Sequence, residues 1–246
     1  MLEGKKALVT GASRGIGRAI AKRFAEEGAT VGINYRSNDE KAKQVLDQVD
    51  ASSKGMLLKG DVSKENDCKE MIDRFTEEYR GLDMLVNNAG IYKRKDLEEA
   101  TVEDFDRIMA VNTRGPFMLC KFSLPFLKES SSGRIINMSS QLAFKGSDHG
   151  VSYVVSKASL LGLTRALALE LGPKGITVNG VAPGTIDTDI IAGYSEEKRR
   201  KRAESIPVKR LGDPEDIADA CLYLASGMGS YVNGEVIGVN GGSSIH

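Results

Sequence analysis

Tyr153 and Lys157 are the two residues of this sequence whose types and spacing point most directly to chemistry. They stand four residues apart in SYVVSKASLLGLTRALALELG, residues 152–172, a stretch rich in apolar side chains. At this spacing on a helix they share one face. An ammonium close to a phenol lowers the phenol's pKa from its ordinary value of about 10, which makes tyrosine a usable proton acceptor. The spacing alone is weak, because a packed tyrosine beside a solvent-directed lysine gives the same pattern.

Short apolar runs bounded by glycine or aspartate are predicted as the β-strands that position such residues. The seven runs are KALVTG, ATVGINY, GMLLKGDV, LDMLVNNAG, GRIINMSS, GITVNGVAPG and GEVIGVNGG. The stretches between them, such as GIGRAIAKRFAEEG, have the spacing of amphipathic helices. This alternation predicts a single α/β domain over residues 1–246. We expect a doubly wound Rossmann fold, whose seven-stranded, mostly parallel sheet has helices on both faces and binds ligands at the carboxyl ends of its strands.

Charge and cysteine content exclude several classes of function. Lysine plus arginine and aspartate plus glutamate each total 34, so charge gives no support for binding to nucleic acid or an anionic membrane. Cys68, Cys120 and Cys221 are far apart, which argues against a disulfide framework or a zinc site, and no metal is expected. No apolar segment typical of a signal peptide or a membrane span is present. We therefore expect a cytoplasmic protein.

The segment TGASRGIG, residues 10–17, follows the first predicted strand and opens the first helix. Its glycines, Gly11, Gly15 and Gly17, permit a tight turn and a close approach of the main chain to a pyrophosphate. The N–H groups and the positive dipole of the helix N-terminus favour the same ligand. The spacing differs from the Gly-x-Gly-x-x-Gly of the standard fingerprint. Its place between a strand and a helix nevertheless predicts a dinucleotide site.

The end of the second predicted strand, VGINYRSN, indicates which dinucleotide binds. A site for NAD carries an acidic residue there, which accepts from the ribose 2′-hydroxyl, whereas a site for NADP carries arginine. This sequence has Tyr35 and Arg36, with Asp39 only after the strand. Arg14, in the glycine turn, can reach the same phosphate. Either arginine alone would be an ordinary surface residue, but two cations without an acid favour NADP(H).

Four motifs stand in a fixed order along the chain: TGASRGIG, NNAG at residues 87–90, the Tyr-x-x-x-Lys pair and PG at residues 183–184. In this order the chain resembles the short-chain dehydrogenase/reductase family from residue 5 to residue 242. The resemblance implies an oxidoreductase that moves a hydride between NADP(H) and a carbonyl or secondary alcohol. The motifs and the resemblance together predict these cofactor contacts: Gly11, Ser13, Arg14, Gly15, Ile16, Gly17, Tyr35, Arg36, Asp61, Val62, Asn88, Ala89, Gly90, Tyr153, Lys157, Pro183, Gly184, Ile186 and Thr188.

The resemblance also implies a catalytic tetrad of Asn112, Ser140, Tyr153 and Lys157. Asn112 stands in VNTRG, and Ser140 ends INMSS thirteen residues before Tyr153, with Ser139 as the less favoured neighbour. Tyr153 would exchange the proton, and Lys157 would lower its pKa and hold the ribose hydroxyls of the cofactor. Ser140 would hydrogen-bond the substrate oxygen as charge develops there. Asn112 would hold a water that passes protons from Lys157 to solvent.

Residues 152–172 are apolar almost all round, with Val154, Leu161 and Ala168 among them. A helix that is apolar on every side is buried on every side. The resemblance implies that helices pair between subunits into a homotetramer. The charged run SEEKRRKRAES is typical of a solvated helix, and residues 189–210 around it are predicted to form a substrate lid.

The substrate is harder to predict, because function resides in the site rather than in the fold. The chain length, the NADP corner and PGTIDTD resemble the branch of the family that reduces 3-oxoacyl thioesters on acyl carrier protein, for which Lys128 and Lys174 are candidate contacts. The loop QLAFKGSDHG is more polar than that branch implies. Its Gln141, Asp148 and His149 would suit a sugar or polyol dehydrogenase similar to glucose 1-dehydrogenase. A non-catalytic NADP-binding sensor is the third alternative, which the intact tetrad disfavours.

Overall fold

Seven parallel strands form one sheet. The computed structural model describes residues 1–191 and 193–245. The strands are β1 Lys6–Val9, β2 Thr30–Tyr35, β3 Gly55–Lys59, β4 Met84–Asn87, β5 Arg134–Met138, β6 Thr177–Pro183 and β7 Val236–Val239. Each lies within one of the predicted runs. Their order in the sheet is β3-β2-β1-β4-β5-β6-β7, and every pairing is parallel, which confirms the predicted doubly wound α/β fold.

Helices occupy the connections between the strands. The α-helices are α1 Gly15–Glu26, α2 Asp39–Asp50, α3 Glu65–Tyr79, α4 Val102–Met109, α5 Gly115–Glu129, α6 Leu142–Lys145, α7 Val151–Leu171, α8 Glu196–Ser205 and α9 Pro214–Ala225. A π-helix, Ala110–Arg114, joins α4 directly to α5. In the part of the chain that the structure describes, none of the helices combines the length and the hydropathy that crossing a membrane requires.

The order in which successive strands are added to the sheet changes side at β1: β2 and β3 lie on one side of it, and β4 lies on the other. Leu8 of β1 lies opposite Gly32 of β2 on one side and Leu85 of β4 on the other. The first three strands extend the sheet one way, and the chain then returns to place β4 on the opposite side of β1. Such a switch point opens a crevice at the carboxyl ends of the strands, where ligands of open α/β sheets bind.

Two apolar layers hold the helices against the sheet. Adjacent strand residues face opposite sides, so Leu8 packs in the layer that contains Phe75 of α3 and Val9 packs in the layer that contains Phe24 of α1. All four side chains are completely buried. Each contributes about 1.5–3 kcal/mol relative to remaining exposed. The layers fix the strand ends and thereby the positions of the residues that follow them.

The sequence predicted that α7 is buried on every side, but within the single chain part of its apolar surface is exposed. Its inward face carries Lys157 and Thr164, whereas Val155 and Leu169 are 41% and 82% exposed. The polar residues can face inward because they find partners there, as where Asn137 of β5 donates to Thr164 Oγ1 at 3.0 Å. The apolar composition predicted burial on every side, but composition does not reveal which face meets the sheet.

The segment predicted as a lid, residues 189–210, leaves the sheet after β6. It contains a 3₁₀ turn, Asp189–Ile191, and the charged helix α8. Residue 192 lies outside the described residues. The helix α8 buries none of its side chains, in agreement with the predicted solvated surface.

Candidate active site

The glycine turn between β1 and α1 leaves no room for side chains. Gly11 has a φ of +62°, and a Cβ there would lie 2.9 Å from the Cα of Ala89. A Cβ on Gly17 would lie 2.4 Å from the carbonyl oxygen of Gly11. Glycine at both positions therefore lets the main chain pass close to the end of β4. No side chain caps α1, so the N–H groups of its first turn can bind a phosphate.

Asn88 and Thr10 hold the ends of β1 and β4 together. Asn88 Nδ2 donates to the carbonyl oxygens of Thr10 and Gly11 at 2.8 Å and 3.2 Å. The hydroxyl oxygen of Thr10 accepts from the N–H groups of Asn88 and Ala89, both at 3.0 Å. These four bonds fix the glycine turn against residues 88–90, so the predicted cofactor contacts of both motifs lie in one place.

The end of β2 is followed by one largely exposed cation, Arg36, while the nearby acid Asp39 is paired with other residues. Arg36 is 57% exposed and lies 3.9 Å from the carboxylate of Asp61. Asp39 accepts from the hydroxyl of Tyr35 at 2.8 Å and from Lys59 Nζ at 2.9 Å, and these bonds lower its pKa. Because this carboxylate is neutralised by partners on its own side of the sheet, it does not offset the charge of Arg36.

Asp61 is built into the end of β3 by a dense set of hydrogen bonds. Its carboxylate accepts from the N–H and hydroxyl of Ser63 at 3.0 Å and 2.7 Å and from Arg107 Nη2 at 3.0 Å. Burial raises the pKa of Asp61, but these bonds outweigh burial and lower it to about 2. The carbonyl of Val62 lies 2.7 Å from where a Cβ on Gly115 would stand, so the loop packs tightly on α5. Sequence reasoning missed Arg107, because nothing local distinguishes it from a surface arginine.

The segment after β6 meets the glycine turn from the other side. Pro183 ends β6, and its carbonyl accepts from the N–H of Gln141 at 3.0 Å. A Cβ on Gly184 would lie 2.7 Å from the Cα of Asn240, so this position also requires glycine. The methyl of Thr188 would lie 3.4 Å from a Cβ on Gly15. Thr188 thus borders the glycine turn, and its predicted contact with the cofactor stays a prediction.

Three predicted cofactor contacts, Ser13, Ile16 and Ile186, have side chains that lie away from Tyr153. The side chain of Ile186 is buried in the apolar layer of α1, and that of Ile16 packs against the same layer. Ser13 lines a small cavity beside Arg14 rather than the crevice at Tyr153. For Ile186 the contribution to a ligand is therefore restricted to its main chain.

Asn112 is completely buried in the π-helix and uses its whole amide. Its Oδ1 accepts from the N–H of Ile91, and its Nδ2 donates to the carbonyl of Ile91, each at 2.9 Å. Nδ2 also donates to the hydroxyl of Ser156 at 3.0 Å. A Cβ on Gly90 would lie 3.5 Å from Asn112 Oδ1 and 3.3 Å from Lys157 Nζ, which places Asn112 beside the lysine. The π-turn, a geometry that often marks functional sites, directs this amide inward.

The Ser140 hydroxyl follows the carboxyl end of β5, where it accepts from the N–H of Leu142 at 3.1 Å and exerts a hydrogen-bonding effect that lowers the pKa of Tyr153. Ser139 points the other way, and its hydroxyl donates to the carbonyl of Lys157 at 2.9 Å. This contact ties β5 to α7 and removes Ser139 from the site. The geometry therefore favours Ser140, as the spacing predicted.

Lys157 lies beneath the tyrosine and is 4% exposed. Its Nζ donates to the carbonyl of Met138 at 2.7 Å and lies 5.8 Å from the centroid of the Tyr153 ring. Burial lowers the pKa of Lys157 to about 8. Burial also raises the pKa of Tyr153 to about 12, against the opposite effect of Ser140. The expected lowering of the tyrosine pKa by Lys157 is absent, because burial dominates and the ammonium is directed at Met138.

A further aromatic residue that sequence reasoning missed packs against Tyr153. The ring of Tyr92 meets that of Tyr153 edge to face, with centroids 4.8 Å apart. His149, interpreted from sequence as a loop residue, lies next in the row, 6.5 Å from Tyr92. Tyr92 directly follows the NNAG-Ile segment, and an aromatic residue just after a strand end was the available signal. Tyr153, Tyr92 and His149 thus form a row of aromatic rings.

Comparison with known proteins agrees with this arrangement. A family model described as enoyl-(acyl carrier protein) reductase matches residues 11–244. The chain is 43% identical to the 3-oxoacyl-(acyl-carrier-protein) reductase of Aquifex aeolicus over 245 residues, 98% of each chain. A dehydrogenase/reductase from Sinorhizobium meliloti, 41% identical, matches with a TM-score of 0.94 over 99% of this chain and 96% of its own. A short-chain dehydrogenase from Burkholderia cenocepacia, solved in complex with NADP, is 37% identical, with a TM-score of 0.92 and 98% of each chain covered.

The parallel sheet, its switch point and the polar residues at its carboxyl edge define an oxidoreductase of the Rossmann type. The family model and these relatives cover nearly the whole chain at identities well above those that show the fold alone. The chain belongs to the short-chain dehydrogenase/reductase family.

Proposed function

We propose that this protein is an NADP(H)-dependent reductase of carbonyl groups, with 3-oxoacyl thioesters as its substrate class. The observation that carries the proposal is the convergence of three groups at the carboxyl end of β5: Ser140 influences the phenol of Tyr153, and Lys157 Nζ lies 5.8 Å from the tyrosine ring. A phenol, a hydroxyl and an ammonium at one strand end are the groups that carbonyl reduction requires. The reverse reaction, oxidation of a secondary alcohol, uses the same groups.

The residues present fit a dinucleotide. The glycine turn forms a cradle that a Cβ on Gly11 or Gly17 would fill. Arg14 and Arg36 supply the positive charge that a 2′-phosphate needs. When bound, the cofactor supplies the hydride, and the protein supplies orientation and proton transfer. The relative from Burkholderia cenocepacia that was solved with NADP supports this assignment.

Tyr153 is the proton donor in the reductive direction. Because burial raises its pKa to about 12, the phenol is protonated near neutral pH, as a general acid must be. Ser140 hydrogen-bonds the carbonyl oxygen as negative charge develops on it. In the oxidative direction the phenol must first lose its proton, which a positive charge nearby favours.

Lys157 and Asn112 support this proton transfer. Lys157 holds the ribose hydroxyls of the cofactor and, with its pKa lowered to about 8, can exchange a proton near neutral pH. Asn112 fixes the main chain of Ile91 at the site through two 2.9 Å bonds. A water held beside Asn112 is the link to solvent that we assign to this position.

The choice of an acyl thioester is supported by the relatives rather than by a specific contact. The curated relative from Aquifex aeolicus, 43% identical along nearly its whole length, is a 3-oxoacyl-(acyl-carrier-protein) reductase. A small acyl thioester and, beyond it, acyl carrier protein are therefore the substrate and partner that we propose.

The two lysines considered for carrier binding are far from the site of their own chain. Lys128 stands near the end of α5, and Lys174 follows α7. Tyr153 lies at the start of α7, whose 21 residues span about 30 Å. These lysines cannot border the entrance to the Tyr153 of the same chain, so the carrier assignment receives no support from them.

A sugar or polyol is the second candidate substrate, favoured by the polar wall beside Tyr153. His149 Nδ1 contacts the carboxylate of Asp148 at 2.5 Å, and the ring lies 6.5 Å from Tyr92. Gln141 is buried directly after Ser140, and its Oε1 has no hydrogen-bond partner among the described residues. Acceptors and hydroxyls at an entrance suit a polyhydroxylated substrate.

A paired steady-state assay tests the function. One arm follows oxidation of NADPH or NADH with acetoacetyl-CoA, and the other follows reduction of NADP⁺ or NAD⁺ with aldoses and polyols. We expect turnover of the thioester with NADPH. Tyr153→Phe serves as the inactive reference, and Tyr231→Phe, at a fully exposed tyrosine, is the matched control.

The outcomes separate the candidates. Thioester reduction with NADPH supports the proposal, and an acyl-carrier-protein substrate is then tested. Turnover confined to aldoses or polyols replaces the acyl substrate by a sugar while leaving the cofactor assignment unchanged. NADH-dependent turnover that exceeds the NADPH-dependent rate contradicts the assignment of Arg14 and Arg36.

We also propose that the protein is a cytoplasmic homotetramer. Phe117 of α5 is 53% exposed, and Leu169 of α7 is 82% exposed. Phe117 lines a groove of about 710 Å³ that also involves α4 and α7. Exposed apolar surface of this kind is typical of subunit contacts.

The three cysteines are free and buried, in keeping with a reducing compartment. The segment 189–210 is proposed as the substrate lid.

A further inference from the structure

One carboxylate oxygen binds two cations at the phosphate end of the site. Arg14 Nη1 lies 3.2 Å and Lys41 Nζ lies 3.3 Å from the same atom, Oδ2 of Asp189. Arg14 belongs to the glycine turn, Lys41 to the first turn of α2, and Asp189 to the segment after β6. Three elements that are distant in sequence therefore meet at one anionic atom.

Two cations around one oxygen form an anion-binding site, and here the bound anion is a carboxylate of the same chain. The hydrogen bond from Lys41 and the charge of Arg14 lower the pKa of Asp189 despite some opposing desolvation, so its carboxylate is ionised. Ser13 and Thr188 line the same cavity of about 180 Å³. A carboxylate oxygen between two cations offers the charge and the acceptor that a phosphate oxygen would offer.

The internal ion pairs are accessible and weak enough to be exchanged. The side chains of Arg14, Lys41 and Asp189 are 65%, 45% and 54% exposed, and pairs between exposed charges are only marginally stabilising. A phosphate monoester carries a charge of about −1.5 to −2 and three acceptor oxygens, against one negative charge on a carboxylate. A phosphate that reaches these two cations therefore displaces the carboxylate.

We propose that Lys41 is a third cation of the site for the 2′-phosphate of NADP(H), and that Asp189 is the internal anion which this phosphate displaces. The inference rests on the proposed NADP(H) dependence and adds two residues to it. Asp189 contributes to selectivity, because NAD(H) has no 2′-phosphate and leaves the internal pairs intact. Lys41 escapes sequence reasoning because it lies after the strand end, within a charged helical stretch.

The test measures the binding of 2′,5′-ADP and of 5′-AMP to the full-length protein by isothermal titration calorimetry at one low ionic strength. The two ligands differ only in the 2′-phosphate. Lys41→Gln should weaken the binding of 2′,5′-ADP by about three- to tenfold and leave that of 5′-AMP within twofold. Asp189→Asn should strengthen the binding of 2′,5′-ADP by about threefold, because the cations no longer have an internal partner.

Matched variants change the same charges elsewhere on α2. Lys43 and Asp47 are exposed on this helix. Lys43→Gln and Asp47→Asn should leave the affinity for both ligands unchanged, which separates a local contact from a change in net charge. Lys41→Arg should retain most of the affinity, because it restores the cation.

Two results would overturn the inference: an unchanged affinity for 2′,5′-ADP in Lys41→Gln, or a weaker one in Asp189→Asn. A wild-type protein that does not prefer 2′,5′-ADP to 5′-AMP overturns the NADP(H) assignment itself. The preference of the wild-type protein is measured before any variant is made. Failure of the NADP(H) assignment is therefore distinguishable from failure of the proposal for Lys41 and Asp189.

Discussion

Lys157 Nζ is bound to the carbonyl oxygen of Met138, 2.7 Å away, at the last residue of β5. This bond joins the helix that carries Tyr153 to the strand that precedes Ser140. It holds the ammonium in a buried position, which lowers the pKa of Lys157 to about 8. The position of the lysine is thus set by a strand end as much as by its spacing from Tyr153.

The first prediction concerns pH and stability. Burial lowers the pKa of Lys157 from 10.5 to about 8. Between these values Lys157 holds a proton in the unfolded chain that it has lost in the folded chain, so the contribution of this residue to the free energy of unfolding rises with pH through this window. The rise amounts to about 3 kcal/mol. In Lys157→Met this contribution is absent. Urea unfolding from pH 7 to 10 should therefore show that the free energy of unfolding of the wild type increases relative to that of the variant. A constant difference between the two would contradict the buried ammonium.

The second prediction concerns the phenol of Tyr153. Tyr153→Phe should lower kcat by about 10²- to 10⁴-fold, the usual contribution of a general acid. The dissociation constant for NADPH, measured by fluorescence titration, should stay within about twofold, since the glycine turn and its arginines are unchanged. A variant that turned over normally would exclude Tyr153 as the general acid.

The third prediction concerns Asn112. Asn112→Ala removes the partners of the Ile91 N–H and carbonyl and of the Ser156 hydroxyl. Leaving buried polar groups unpaired should lower the free energy of unfolding by about 3 kcal/mol, measured in urea. Asn66→Ala, at an exposed position of α3, should change it by less than about 0.5 kcal/mol. Equal stability of both variants would restrict Asn112 to proton relay.

The fourth prediction concerns Arg36. Arg36→Asp should weaken NADPH binding by about tenfold and leave NADH binding within about twofold, because only the former has a 2′-phosphate to repel. Lys43→Asp places the same charge change on an exposed face of α2 and should affect neither cofactor. An unchanged NADPH preference would exclude Arg36 from the phosphate site.

The fifth prediction concerns assembly. Phe117 is 53% exposed on α5, and a glutamate there would place a charge in the proposed subunit contact. Phe117→Glu should reduce the mass measured by light scattering after size exclusion from that of a tetramer to a smaller species. Leu97→Glu, in the loop before α4, should leave the mass unchanged. A tetrameric Phe117→Glu would place the contact on another face.

The strands could be predicted because each is a short apolar run, and the central ones are buried by both layers. Leu8 and Val9, adjacent in β1, are completely buried on opposite faces of the sheet, and such runs are unmistakable between glycines. The glycine turn then followed from the general behaviour of parallel sheets, which bind ligands where their strands end, whereas Ser140 was implied by the family resemblance and its spacing from Tyr153.

Long-range partners could not be predicted in the same way. Arg107 reaches Asp61 across 46 positions of sequence, and Lys41 reaches Asp189 across 148. Each looks like a solvated charge in its own helix, and only the packing of remote elements reveals the pairing. The direction of the α7 faces is a similar case, since its partners on β5 lie outside the helix sequence.

The π-helix at Ala110–Arg114 sets how the side chains of α4 are rotated relative to those of α5. Such a turn holds one residue more than the α-helix it interrupts, and each α-helical residue advances the chain by about 100° around the axis. Deleting one residue from this turn would let α4 and α5 fuse into a regular helix and would swing Arg107 away from Asp61. A single surplus residue therefore keeps Arg107 of α4 on Asp61 while Asn112, inside the π-turn, stays bound to Ile91.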